Sequence, residues 1–203
     1  MQYVRWSLIG IVALLVGGFL HYTLPQRDIV RIVGTYETFV DFGMNRIFYA
    51  DSGGLDNKDV LFIQGVNANG RERVYRNEDT NFWPPYLKFD TANLQTAAAD
   101  TVSTAADPVW VIVTHYGWRS TLFTAFPNAV SIRPATGPDQ TLIPWFNIGF
   151  FVALAALLLW LRARWIRFRE DRIDPVFDDI EDASDAARGR VRRAFDRLFG
   201  RRG

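Results

Sequence analysis

The stretch "FDTANLQTAAADTV", Phe89–Val102, decides the fold, because it is a helix signal set among strands. Its Ala, Leu and Gln are good helix formers, and Asp90 or Thr91 is placed to cap the first turn. Working outward, the flanking segments are β-branched and aromatic. "DIVRIVGTYETFV" (Asp28–Val40), "RIFYAD" (Arg46–Asp51), "DVLFIQGV" (Asp59–Val66) and "RERVYRNED" (Arg71–Asp79) precede the helix. The last two flank Asn69-Gly70, a strong hairpin signal. "VWVIVTHY" (Val109–Tyr116) and "NAVSIRP" (Asn128–Pro134) follow it, across the flexible connection "TVSTAADP" (Thr101–Pro108). Strands this short must close or pack to bury a face. A helix between the third and fourth strands of a five-stranded Greek-key barrel is the OB-like arrangement. The expectation is therefore a small α+β domain, OB-like or a similar small β-barrel with one helix; another α+β sandwich is the alternative.

Further outward lie two apolar runs. "WSLIGIVALLVGGFLHYTL" (Trp6–Leu24) and "LIPWFNIGFFVALAALLLWL" (Leu142–Leu161) carry no charge. A membrane-spanning helix needs roughly 17–25 such residues. A cleaved signal peptide competes for the first run, but the bulky Phe19, Leu20, His21 and Tyr22 do not make a small-residue cleavage site. Pro144 suits the first turn of the second run, and Trp145 and Trp160 bracket it as interfacial aromatics. Arg5 precedes the first run, and Arg162, Arg164, Arg167 and Arg169 follow the second. Positive residues near span ends stay in the cytoplasm. The predicted layout is a cytoplasmic N-terminus (1–5), a first span (6–24), a periplasmic β-rich domain (25–141), a second span (142–161) and a cytoplasmic tail (162–203). The expected location is the bacterial inner membrane with both termini cytoplasmic. Gly10, Gly17 and Gly18 give the first helix a small-residue face for close packing on another helix, with His21 at its edge.

The chain has 203 residues, a formal net charge of +1 and no cysteine. The charge gives no reason to expect nucleic acid, and the lack of Cys excludes disulfides, thiolate nucleophiles and Cys-ligated metal. Lys58 and Lys88 are its only lysines.

Asn77-Glu78-Asp79, Lys88-Phe89-Asp90, Tyr116-Gly117-Trp118-Arg119 and Pro127-Asn128, taken together, resemble an uncharacterised domain-of-unknown-function family of alpha-class proteobacterial inner-membrane proteins. The resemblance covers the first span and the middle domain. It implies a membrane anchor and a small extracytoplasmic domain, and it carries no catalytic residues.

Chemistry is hard to find in the residues themselves. His115 alternates with Val109, Val111 and Val113, so it shares a face with an apolar row. A catalytic histidine needs a nucleophile or carboxylate in reach; Ser120 and Asp79 are the only candidates and nothing places them. Gly117, Trp118 and Arg119 fit a strand end better, with Trp118 plugging the barrel core and Arg119 pairing with Glu78 or Asp79. "ADSGGLDNKD" (Ala50–Asp59) lacks the ligand spacing of a calcium loop. No catalytic, cofactor-binding or metal-binding residues are expected, and no cofactor. The Pro-rich "NFWPPYLKF" (Asn81–Phe89) reads as a rigid connection plugging the barrel end; in the alternative, Phe82, Trp83 and Tyr86 form a candidate patch for a protein partner, rather than a nucleic-acid platform.

The tail changes from acidic (Asp174–Asp185) to basic (Arg188–Arg202). Ala187, Val191, Ala194, Phe195 and Leu198 make one apolar stripe, with Arg188, Arg192, Arg193 and Arg197 on other faces. Such a helix suits anionic lipid or a partner subunit. The functional expectation is a non-enzymatic accessory, stabilising or assembly subunit of an inner-membrane complex, such as a respiratory or photosynthetic one. Its partners would be inner-membrane lipids and another membrane protein complex, with no nucleic acid. The alternative is a periplasmic ligand-binding envelope module.

Overall fold

A computed structural model describes residues 2–41, 57–80, 84, 86–120, 122, 124–170 and 188–189. The expected strand Arg46–Asp51 and the Ala50–Asp56 part of the Gly-Asp turn lie outside them. The chain divides into two compact units, Met1–Asn147 and Ile148–Gly203. The element order is α1 (Gln2–Thr23), β1 (Gln26–Asp41), β2 (Asn57–Asn67), β3 (Glu72–Asn77), α2 (Thr91–Asp100), β4 (Trp110–Tyr116), β5 (Asn128–Pro134) and α3 (Trp145–Phe168).

The five strands form one mixed sheet in the order β1-β2-β3-β5-β4, closed into a barrel by β4 pairing back onto β1. Closure is possible because β1 is long enough to serve both neighbours. Gln26–Arg31 pairs with β4, Val30–Asp41 pairs with β2, and the register shifts between Ile32 and Gly34, where the strand must bend. The β2–β3 hairpin turns at Gly70, whose φ of +75° suits glycine. Asn67 Oδ1 holds that turn by accepting from Asn69 N and Arg71 N.

Alternate residues point inward, as a strand's period of two requires. Val30, Ile32, Ile63, Tyr75, Val111, Val113 and Ala129 form the core with Leu94 and Ala98 of α2. On β1 the inward row is Asp28, Val30, Ile32; on β4 it is Val111, Val113, His115; on β3 it is Arg73, Tyr75, Asn77. Asn77 bonds to α2, so α2 closes the Ile32–Asn77 end of the barrel. The Asp28–His115–Arg73 end lies beside the last turn of α1. A second apolar cluster forms on the outer face, where Tyr36 stacks on Phe62 at 5.1 Å and Phe126 meets Phe62 edge-on at 5.2 Å.

The seam between β3 and β5 is the weak point of the closure. The pair is parallel and makes a single rung, Arg76 to Asn128. One side of that rung is filled by a polar network and the other opens into a cleft.

α1 and α3 are 22 and 24 residues long and apolar enough to cross a membrane, and neither has a buried residue. Two residues separate α1 from β1, and the joint is clamped. Leu24 N extends the helix bonding to Leu20 O at 2.8 Å, Gly117 N donates to Tyr22 O at 2.9 Å, and the Tyr86 hydroxyl donates to Thr23 O. Tyr86 stacks on Tyr116 at 4.9 Å, and Tyr22 meets Trp118 edge-on at 5.4 Å.

Candidate functional site: a polar seam and an open cleft

The network at the seam is built on Glu78, Lys88 and Asn128, all buried. The Asn128 side-chain amide reads both ends of one peptide. Its Oδ1 accepts from Glu78 N at 3.0 Å, and its Nδ2 donates to Glu78 O at 3.0 Å and to the Tyr116 hydroxyl at 3.1 Å. This is a side-chain substitute for a missing ladder rung. The Glu78 carboxylate takes Arg76 at 3.2 Å and Lys58 at 3.1 Å. Lys88 Nζ donates to Asn77 Oδ1, to Glu78 O at 3.1 Å and to Ala129 O at 2.9 Å. Burial pushes the Lys88 ammonium down to about 8, against the pull of Asp79, Asp90 and Glu78. Three acceptors match the three donors of an ammonium, so Lys88 is a charged rivet between β3, β5 and the 78–90 segment. Thr80 and Lys88 also exchange bonds, Thr80 N to Lys88 O and Lys88 N to Thr80 Oγ1, both at 2.9 Å.

The cleft lies on the other side of the rung, about 440 Å³ in volume, lined by His21, Gln26, Asp28, Glu72, Arg73, Val74, His115, Gly117, Trp118, Arg119 and Pro127. Both histidines of the chain border it. At its floor, Asp28 Oδ2 accepts from the Tyr75 hydroxyl at 2.7 Å and lies 3.2 Å from His115 Nε2 and 3.6 Å from Arg73 Nε. Burial pushes the Asp28 carboxyl up, but bonds from His115 and Tyr75 and the charges of His115 and Arg73 outweigh it and hold it below the usual carboxylate range. Burial, then the Asp28 charge, pushes the Tyr75 phenol up, so Tyr75 stays a donor. The His115 side chain is 7% exposed, and neither ring nitrogen has a well-aligned hydrogen bond. Its 3.2 Å approach to Asp28 is an ion-pair distance with poor direction, and Nδ1 has no hydrogen-bond partner among the described residues. At the rim, Trp118 Nε1 donates to His21 Nδ1 at 2.9 Å, which puts the imidazole proton on His21 Nε2.

An Asp–His pair in a cleft can position a base. No Ser or Thr hydroxyl among the described residues bonds this pair, and no group of three or more His, Cys, Asp or Glu there could hold a metal ion. What the arrangement offers is hydrogen-bond donors and fixed charges of both signs.

Several expected roles change. Trp118 does not plug the core: it is 42% exposed, and its ring lies outside the barrel on the last turn of α1. The apolar alternation ends at Tyr116, and Gly117, with φ +94°, turns the chain away from the interior. Arg119 pairs with neither Glu78 nor Asp79. Its Nη1 donates to Ser120 O at 3.1 Å and Ala125 O at 3.0 Å, and its guanidinium sits 4.1 Å over Phe126. Glu78 takes Arg76 and Lys58 instead. Asp79 caps α2, its Oδ1 accepting from Thr91 N at 3.0 Å and from the Thr91 hydroxyl, while Asp90, at the cap position, makes no side-chain cap bond. Tyr86 is not a surface patch; it is part of the α1 clamp. Phe82 and Trp83 lie outside the described residues. A Cβ on Gly18 would lie 3.7 Å from the Trp118 ring, so Gly18 faces the barrel's own tryptophan; Gly10 and Gly17 have open space around them. Arg188 is exposed, and Arg192, Arg193, Phe195, Arg197 and Leu198 lie outside the described residues.

Asp28, Arg73, Arg76 and the His21–Trp118 bond were not anticipated. Inward parity was the available signal for Asp28, since it sits two residues before Val30 in the core row.

The sequence matches the family model described as "Protein of unknown function (DUF1523)" over residues 1–169. The chain belongs to this family. A relative described as an uncharacterized protein of Haemophilus influenzae is 32% identical over 163 residues, 76% of this chain and 91% of that protein. No solved structure matches the chain. The matched segment takes in α1, the whole barrel, the seam network and the cleft.

Proposed function

We propose that this DUF1523 protein is a non-enzymatic accessory or assembly subunit of an inner-membrane protein complex. In this reading α1 and α3 cross the membrane, both termini are cytoplasmic, and the barrel is an OB-like domain on the periplasmic face. The observation that carries it is the clamp between α1 and the barrel. A loose linker would leave the domain's height and orientation free. Here Tyr22, Thr23, Tyr86, Tyr116 and Trp118 weld the helix end to the sheet, which fixes the domain's height and orientation at the membrane surface. Fixed presentation serves a protein that packs against a neighbour. The OB-like assignment is supported by the strand order β1-β2-β3-β5-β4 with α2 between β3 and β4. Two helices with no buried residue offer apolar surface to lipid or to a partner's helices.

The test is isolation of the full chain from gently solubilised membranes. The expected result is a stoichiometric membrane-protein partner that survives dilution; a chain that runs as a single species in every mild detergent sinks the proposal. A second reading, an envelope module that binds a small ligand, is favoured by one observation: the buried, unpartnered His115 Nδ1 at the cleft.

A further inference from the structure

We infer that the cleft is a binding site for the headgroup of a zwitterionic aminophospholipid, a phosphodiester joined to a primary ammonium. This deepens the ligand-binding reading of the cleft and rests on α1 being a membrane span.

Charge selects the ligand class. Arg73 and Arg119 line the same cleft as Asp28 and Glu72, two guanidiniums against two carboxylates. Asp28 is already engaged by Tyr75, His115 and Arg73. Glu72 is exposed and has no ion-pair or side-chain hydrogen-bond partner among the described residues, and Arg119 uses only Nη1, on backbone carbonyls. One carboxylate and most of one guanidinium are therefore uncommitted. A simple anion would meet Glu72 and Asp28, and a simple cation would meet Arg73 and Arg119. A ligand carrying both signs meets neither penalty.

Hydrogen bonding points the same way. His115 is more than nine-tenths buried with an orphaned Nδ1, and a buried polar atom without a partner marks a place where water or a ligand completes the set. His21 offers its Nε2 proton, because Nδ1 takes the Trp118 indole N–H. The volume, about 440 Å³, falls in the range of small-ligand sites.

Position selects the source. His21 is in the last turn of α1, and Trp118 lies against Gly18 in the turn before, with part of its ring exposed. A span that ends at Thr23 brings this rim to headgroup depth, where indoles concentrate. The Arg119 and His21 donors would take the phosphodiester, and Glu72 the ammonium.

The experiment uses the full-length protein in detergent, given equal amounts of phosphatidylethanolamine, phosphatidylcholine and phosphatidylglycerol, with retained lipid read by native mass spectrometry. The ethanolamine lipid should be retained about tenfold over the other two, the scale of one charge-assisted hydrogen bond. The choline lipid has no ammonium N–H, and the glycerol lipid has no cation. Glu72→Gln should abolish the preference without changing the melting temperature. Retention indifferent to headgroup, or an undiminished preference in Glu72→Gln, overturns the inference. Glycerophosphoethanolamine competing as well as the intact lipid would assign the site to a free metabolite and overturn the lipid source. Alkaline carbonate washing separates the two levels: headgroup indifference in a chain that stays in the membrane defeats this inference alone, and release by carbonate defeats the membrane reading on which it rests.

Discussion

Asn128 and Lys88 carry the barrel's closure because the backbone gives them so little help at a seam of one rung. Replacing Asn128 with Asp keeps the acceptor for Glu78 N but turns a second oxygen toward Glu78 O, where Nδ2 now donates. The expected cost is about 3 kcal/mol, from a lost bond and an oxygen set against the Glu78 carbonyl, which keeps only its Lys88 donor, and it can be measured by urea unfolding in detergent. Lys88→Met removes three bonds at once and should cost at least as much. Trp118→Ala should cost less, about 1–2 kcal/mol, because the ring is only partly buried; a loss of 4 kcal/mol would show it packs as a core residue after all. Asp28 sets an acid limit. Its folded carboxyl is held below its ordinary 3.8, so its stabilising contribution is complete above that value and is lost as the pH falls through the folded value. Asp28→Asn should therefore flatten the acid limb of the stability curve below pH 3.8, at the expense of lower stability near neutrality. Little of this was legible in the sequence. The signature residues of the seam stood out, but pairing Arg119 with Glu78 assumed the two lie on one face. Which charge meets Glu78 depends on the β3–β5 register, which no local pattern encodes.

Elements were more legible than residues because periodicity is local. The β2–β3 hairpin, β4, β5 and α2 follow from alternation, from Asn69-Gly70 and from the Ala-rich run. Two features do not. β1 spans 16 residues and bends at its register shift, and its double pairing is a property of the closed sheet rather than of its composition. The α2 cap comes from Asp79, 12 residues upstream of Thr91, while Asp90 holds the cap position without using its side chain. This separates two substitutions that look alike in sequence. Asp79→Ala should cost about 1–2 kcal/mol, the range of a lost N-cap, and Asp90→Ala close to nothing. Thermal melts of the two variants, with hydrogen exchange at Thr91–Leu94, check it. Equal effects would mean the cap is shared or moves. The α1 clamp was also unread, since Tyr86 in a Pro-rich connection looks like surface until Thr23 and Tyr116 are placed beside it.

At the scale of the whole molecule the proposed topology decides which side of the membrane the barrel occupies, and it rests on arginine placement. The apolar part of α3, Trp145 to Leu161, is about 26 Å long at 1.5 Å per residue, close to the hydrocarbon thickness of a bilayer. The helix then continues through Arg162, Arg164 and Arg167 to Phe168. In a spanning α3, three guanidiniums within two turns would cost roughly 3 kcal/mol each in hydrocarbon even on the mildest scale, so that end would emerge into water. Positive residues beside a span are retained in the cytoplasm, which in the proposed topology would put the end of α3 there, and Arg5 near the start of α1 would put the N-terminus on the same side. Two crossings would then leave the barrel on the far face. The exposed turn at Gly70 gives a place to test this without breaking a strand. A reporter active only outside the cytoplasm, inserted between Asn69 and Gly70, should be active, as should a cytoplasm-dependent reporter fused after Gly203. Alkaline phosphatase activity from the C-terminal fusion, or none from the Gly70 insertion in a chain that remains membrane-bound, would invert or abolish the two-span topology. The cleft would then face the cytoplasmic leaflet or no leaflet, and partners would have to be sought there.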